Sequence, residues 1–223
     1  MISNFMVHKL DHIVFGALTL EEGTELVESI LQAKLSDIGY HKDMGTHNRV
    51  IRISKEVYLE VVSIDPQSRD LKIDRRWFNL DNSKLQSQLK KSPQIIGYVI
   101  ENNDMNISKY YDPFFEASRA NYKWQFAMPT SKNKIIDSEI INTGIIPSLI
   151  SWESEKPVYK MKKNQFELIS LEIGLSETQH HFNTFFKSFG EIEYVTVSSI
   201  SIKKPSIFKL KLKDNLRNMV ISL

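Results

Sequence analysis

The chain has 223 residues, of which 41% are hydrophobic and 25% charged, with a formal net charge of +2; this is the balance of a soluble globular protein with room for one large domain or two small ones. Lys and Arg are scattered rather than clustered, so no nucleic-acid partner is expected, and the absence of cysteine excludes disulfides, thiolate nucleophiles and Cys-based metal sites. No run approaches the roughly 18 apolar residues of a membrane span. The first nine residues also lack the basic start and apolar run of a signal peptide. A cytoplasmic protein with no membrane partner is expected.

Leu10-Asp11-His12-Ile13-Val14-Phe15 reads as a strand from its short apolar, β-branched run. Thr19 looks like an N-cap with Glu22 in capping-box spacing, and the helix that follows aligns Leu26, Ile30 and Ala33 before ending near Lys34. A short strand is read near Leu35–Ile38, and Gly39 and Gly45 bracket a loop. Residues 48–53 and 57–62 read as a strand pair, stopped at Asp65-Pro66 because proline cannot donate to the ladder.

The same order recurs. Residues 95–100 read as a strand, Ile107 to Arg119 as a Pro-interrupted helix, and Tyr122–Met128, Lys134–Asn142 and Ile145–Trp152 as strands. A third pass runs from the strand at Leu168–Ile173 through a helix capped by Ser176 and carrying Phe182, Phe185, Phe186 and Phe189. It closes with strands at Glu193–Ile202, Ile207–Leu212 and Met219–Leu223. The linker from Gln67 to Pro93 holds Arg75-Arg76-Trp77-Phe78 and a helix at Ser83–Lys90. The expected class is α+β, built from repeated βαβββ modules. Residues 1–157 would hold two modules, at about 8–64 and 95–152, and residues 158–223 a third βαβββ-like unit, the charged stretch Glu153–Asn164 marking the boundary.

Side chains alternate faces along a strand. His12 then shares a face with Leu10 and Val14, opposite Asp11, Ile13 and Phe15, and Glu60 shares a face with Tyr58 and Val62. If Ile13, Phe15, Leu59 and Val61 pack on the helix, His12 and Glu60 both lie on the free face. A carboxylate inside Tyr-Leu-Glu-Val-Val needs a partner, because an unpaired buried charge is expensive. A divalent metal shared with His12 supplies one, and so does an ordinary His–Glu hydrogen bond. In Gly45-Thr46-His47-Asn48-Arg49, His47 and Arg49 face the same way. Arg49 could grip a carboxylate or enolate oxygen, or the segment could simply be a surface strand start. Trp77, Trp124 and Trp152 either wall an apolar pocket or belong to the core.

The segments at 10–14, 45–49 and 58–62, in this order and spacing, resemble the glyoxalase-like domain family of the vicinal oxygen chelate superfamily. The similarity continues in Arg76-Trp77-Phe78-Asn79-Leu80-Asp81 and in 144–152, covering roughly residues 8–157. The resemblance implies paired βαβββ modules curled into a half-barrel around a cleft. It also implies a divalent metal held by a His on the first strand and a Glu on the last strand of a module, roles that map onto His12 and Glu60. The second unit offers Gly97 and Ile150 at the matching positions and the third Ser170 and Ile221, so a full two-His, two-Glu cage is not expected.

Three functions follow. One is a metal-dependent lyase, isomerase or oxygenase acting on a small oxygenated organic molecule, with His12, Glu60 and His47 as ligands, His47 alternatively as a base, and Arg49, Trp77 and Trp152 contacting substrate. The second is a metal-free module that binds or sequesters a small molecule in the same cleft. The third is an assembly role in which the last unit pairs across a homodimer.

Overall fold

The computed structural model describes residues 7–68, 70–102, 110–132, 141–176, 190–200 and 207–223. In chain order the strands and helices are β1 (Val7–His8), β2 (Leu10–Gly16), α1 (Leu20–Leu31), β3 (Gly39–His41), β4 (Thr46–Arg52), β5 (Tyr58–Ile64), α2 (Ser83–Leu89), β6 (Gln94–Glu101), β7 (Phe115–Arg119), β8 (Tyr122–Ala127) and β9 (Ser148–Trp152). They are followed by β10 (Phe166–Ser176), β11 (Glu191–Ile192), β12 (Val195–Ile200), β13 (Ile207–Asp214) and β14 (Met219–Ser222).

Local chemistry explains the first module. Thr19 caps α1 by accepting a hydrogen bond from the Glu22 amide at 3.2 Å. The helix stops at Leu31 because Gln32 takes a left-handed conformation (φ +54°) and closes the last turn. α1 buries Leu20, Val27 and Leu31 against the sheet.

Eight strands form one sheet in the order β3-β4-β5-β2-β6-β9-β8-β7. Each half repeats the same arrangement, with its first strand parallel to its last, and the halves join through the antiparallel β2–β6 pair. This is the glyoxalase-like half-barrel of two βαβββ-type modules that the sequence led us to expect. The register also aligns the modules: Val14 pairs with Glu60 in the first and Glu101 with Ile150 in the second, so His12 corresponds to Val99 rather than to Gly97.

The sheet buries side chains on both faces. On one, Ile13, Phe15, Leu59, Val61, Tyr98 and Ile100 form a single cluster with α1 and with Leu168, Leu171, Ile173, Leu210 and Leu212 of the third unit. Arg217 Nη2 donates to Leu31 O at 2.9 Å, and Asn164 Nδ2 donates to Arg52 O, which fastens the third unit to the first. On the other face, Val14, Val62, Ile96, Val99, Trp124, Phe126 and Ile150 pack against Trp77, Leu80, Leu85 and Leu89 from the linker.

Several elements differ from the sequence reading. Residues 115–119 form strand β7, paired with β8, instead of the end of a helix; Pro113 cannot continue a helix and the alternating burial of this segment suits a sheet edge. The short strand after α1 lies at Gly39–His41, not near Leu35–Ile38. Most of the Lys134–Asn142 strand and the helix with Phe182, Phe185, Phe186 and Phe189 lie outside the described residues. In the third unit β10 is central, flanked by parallel β12 and antiparallel β13, with β14 beyond. Its strand pairing differs from that of the first two modules.

Because α1, the sheet and the third unit share one apolar cluster, Leu171→Ala should lower stability by about 2–5 kcal/mol. Thermal unfolding should remain a single transition. A separate early transition of the third unit alone would contradict the shared core.

Candidate functional site

The site begins with a β-bulge. β2 and β6 pair Leu10 with Ile100 and then His12 with Val99, which leaves Asp11 as an extra residue on β2. Leu10 therefore joins Ile13 and Phe15 in the helix-side cluster, while Asp11 turns to the side of His12 and Val14. Simple alternation assigned Leu10 and Asp11 the opposite way, and the bulge corrects both.

Asp11 Oδ1 lies 2.6 Å from His12 Nδ1, and Trp152 Nε1 donates to Asp11 Oδ2 at 2.8 Å. On the other side of the ring, His12 Nε2 lies 3.4 Å from Glu60 Oε2. Glu60 Oε1 accepts a hydrogen bond from Asn48 Nδ2 at 2.6 Å, and Asn48 Oδ1 accepts one from Arg119 Nη1 at 3.1 Å. The same Nη1 lies 3.3 Å from His41 Nε2, whose Nδ1 is 3.1 Å from Thr46 Oγ1. A guanidinium has only donors, so His41 must accept through Nε2 and carry its proton on Nδ1. The His12 ring stacks on Tyr58 at 4.6 Å and meets Phe78 edge-on at 6.5 Å.

Asp11, His12 and Glu60 are each at most 4% exposed, so their charges act through little solvent. Burial disfavours the His12 imidazolium, but the hydrogen bonds and charges of Asp11 and Glu60 outweigh it and raise the ring to about 9. Burial likewise opposes ionisation of Glu60, yet the hydrogen bond and charge of His12, helped by His41 and Asn48, hold it down to about 2. Burial and the neighbouring Arg119 and His12 charges outweigh the attraction of Glu60 and push His41 down to about 4. At neutral pH His12 is thus a cation between two carboxylates, and His41 is a neutral acceptor.

The side chains packed beside this network are aromatic. Trp77 packs on Phe126 (5.2 Å between ring centres), Trp124 (6.2 Å) and His41 (4.7 Å), and Trp124 packs on Trp152 (5.5 Å). Trp77 and Phe78 reach the cleft from a strap closed on itself: Arg76 Nη1 meets Asp81 Oδ1 at 2.5 Å, and the Arg76 amide donates to Asp81 Oδ2 at 2.7 Å. Within the strap Phe78 and Asn79 both take left-handed backbone conformations (φ +56° and +55°), an arrangement that costs energy for non-glycine residues and is typical of sites held in place by their surroundings.

The structure brings together five of the residues singled out in the sequence: His12, Glu60, Trp77, Trp124 and Trp152. It does not bring His47 or Arg49 to them. β4 presents Thr46, Asn48 and Val50 to the cleft, whereas His47 bonds Ser63 Oγ at 2.6 Å and Arg49 Nη1 donates to Ser36 O at 2.6 Å on the opposite face. Asp11, His41, Asn48 and Arg119 were not singled out. Alternation from His47 points to Asn48; the other three depend on a bulge, on the placement of β3 and on a segment read as helix. The second module contributes Val99 and Ile150 at the positions of His12 and Glu60, both in the apolar cluster. Among the described residues, no group of three or more His, Asp or Glu side chains converges as a metal cage.

The shifted groups predict a stability maximum near pH 6.5. His12 is raised above its ordinary 6.5, so its contribution is complete below 6.5 and is lost as the pH rises through about 9. His41 is depressed, so its contribution is complete above 6.5 and is lost as the pH falls through about 4; Glu60 adds a further loss from 4.5 toward 2. In thermal melts across pH, His12→Gln should flatten the alkaline limb and cost about 3–5 kcal/mol by leaving buried carboxylates unpaired. His41→Gln should flatten the limb between 4 and 6.5. An alkaline limb unchanged in His12→Gln would refute this assignment.

The profile of the glyoxalase-like domain matches residues 10–186. No curated protein sequence matches. The crystal structure of a hypothetical protein from Staphylococcus aureus aligns with a TM-score of 0.61 at 17% identity, covering 97% of this chain and 98% of that one, a likeness of fold. Methylmalonyl-CoA epimerase from Streptomyces coelicolor aligns with a TM-score of 0.44 at 12% identity over 66% of this chain and 97% of its own. The enzyme from Mycobacterium tuberculosis aligns with a TM-score of 0.42 at 14% identity over 72% and 97%. The profile spans well over half of the 223 residues, and the chain belongs to the glyoxalase-like domain family.

Proposed function

We propose that the cleft over His12 and Glu60 takes a small oxygenated organic molecule, and that these two side chains hold a divalent ion for a lyase, isomerase or oxygenase reaction. The observation that carries this reading is the 3.4 Å gap between His12 Nε2 and Glu60 Oε2. One ion about 2.1 Å from each donor, at a near-tetrahedral angle, spans such a gap. Asp11 on Nδ1 is the carboxylate that commonly braces a metal-bound imidazole and keeps its far nitrogen free for the ion. When bound, the ion polarises adjacent oxygens of the substrate as a Lewis acid and leaves open positions for them. Asn48 keeps Glu60 turned toward His12, and Trp77 and Trp152 wall the cleft against water. His47 and Arg49 have no part in this reading, because their bonds keep them on the far face.

A second reading is a metal-free binding module. It draws on the pairing already present, since the Asp11 and Glu60 carboxylates both face the His12 imidazolium without an added ion. A homodimer in the cytoplasm belongs to both readings; light scattering of the full chain and cell fractionation test it.

Untagged protein should carry stoichiometric divalent metal by elemental analysis. After chelation, adding zinc, manganese or nickel should raise the melting temperature, by about 2.7 kcal/mol of stability at a hundredfold excess over Kd, and His12→Gln should abolish the rise. Metal-free protein that ignores all three ions while still binding small molecules would establish the second reading.

A further inference from the structure

Arg119 is the one cleft cation without a carboxylate of its own among the described residues. It ends β7, the outer strand of the second module, and reaches over β3 and β4 of the first, so the two edges of the open sheet meet through its side chain. Gly39 on β3 admits it: a Cβ there would collide with Arg119 Nη1 and Asn48 Oδ1. Both of its acceptors are neutral, Asn48 Oδ1 at 3.1 Å and His41 Nε2 at 3.3 Å, and both sit on Nη1. The carboxylate of Glu60 lies one residue further on, through Asn48, and is matched by its own imidazolium.

A half-buried guanidinium whose protein acceptors are neutral keeps its charge available to an anion. Its Nη2 and Nε hydrogens, which no described protein group accepts, form the planar fork that fits two carboxylate oxygens. The surroundings fit a small ligand rather than a second protein side chain. His41, in contact with Nη1, lies against Trp77 at 4.7 Å and Trp124 at 6.4 Å, so the guanidinium borders the aromatic wall on one side and the Asn48–Glu60–His12 relay on the other. The arrangement also keeps the ring of His41 neutral, which spares the anion site a competing donor and leaves Arg119 as its single positive anchor.

We propose that Arg119 binds the carboxylate of the cleft's ligand, which makes that ligand a small organic acid with its oxygenated carbon directed toward His12 and Glu60. This rests on the reading of the cleft as a small-molecule site, but not on the presence of a metal.

The test is a thermal-shift comparison on chelator-treated full-length protein, using malonate, glycolate and pyruvate alongside malonamide, glycolamide and pyruvamide, with inorganic phosphate as a further arm. At least one acid should raise the melting temperature while its amide does not. Arg119→Gln should abolish the shift. Arg119→Lys, which keeps the charge and loses the fork, should weaken binding about tenfold, the worth of one charge-assisted hydrogen bond. An acid and its amide binding equally well, or a shift that survives in Arg119→Gln, would overturn the inference and leave the cleft reading standing. A shift by phosphate alone would reassign Arg119 to phosphoryl ligands and overturn it too. Should Arg119→Gln fail to fold, undiminished acid binding in Arg119→Lys has the same force. If acids, amides and phosphate all leave the native protein unchanged, the cleft reading and the inference fail together, whereas loss of the metal reading alone leaves this result untouched.

Discussion

At Asp11 the first strand of the barrel carries one residue more than its antiparallel neighbour, and that unpaired position turns a carboxylate out of the ladder and into the cleft beside His12. Without the bulge, Asp11 would face α1 among Ile13 and Phe15, where a charge has no partner. With it, the imidazole is gripped on both nitrogens, and its pairing with Asp11 and Glu60 outweighs the burial that opposes the charges. The relay through Glu60, Asn48 and Arg119 depends on this placement, because each group is oriented by the one before it.

The two modules share an architecture and divide the labour. The first supplies the polar half of the cleft from β2, β4 and β5. The second supplies Val99 and Ile150 at the equivalent positions, together with Trp124, Phe126 and Trp152. Side-chain hydrogen bonds of Arg119, from the outermost strand of the second module, and of Trp152, to Asp11, cross from one half to the other. The result is a charged centre facing an aromatic wall, with the strap at Arg76–Asp81 laid over both. The third unit closes the opposite side of the sheet and so keeps α1 and the first module rigid beneath the site.

Much of this was legible in the sequence. The strand–helix–strand order, the Thr19 cap and the facing of His12 and Glu60 follow from periodicity and capping chemistry, and residues 94–101 and 148–152 are strands as their apolar runs indicate. What escaped is what periodicity cannot carry. The bulge at Asp11 depends on the partner strand, so local alternation assigned its side chain to the wrong face. Arg119 was hidden because its segment was read as helical, although Pro113 and the alternating pattern of 115–119 favoured an edge strand. His47 and Arg49 caught attention as chemically rich residues, but the same alternation that exposed Glu60 turns them away from it and presents Asn48.

The central claim is that His12 is a braced ring, held by Asp11 on Nδ1 and opposed to Glu60 on Nε2. Nitrogen-15 NMR of the histidine side chains in metal-free protein tests it most directly. His12 should show two protonated ring nitrogens at neutral pH and titrate near 9, and added zinc should strip the proton from Nε2 while Nδ1 keeps its own. A His12 ring that titrates near 6.5 and ignores the metal would contradict the account.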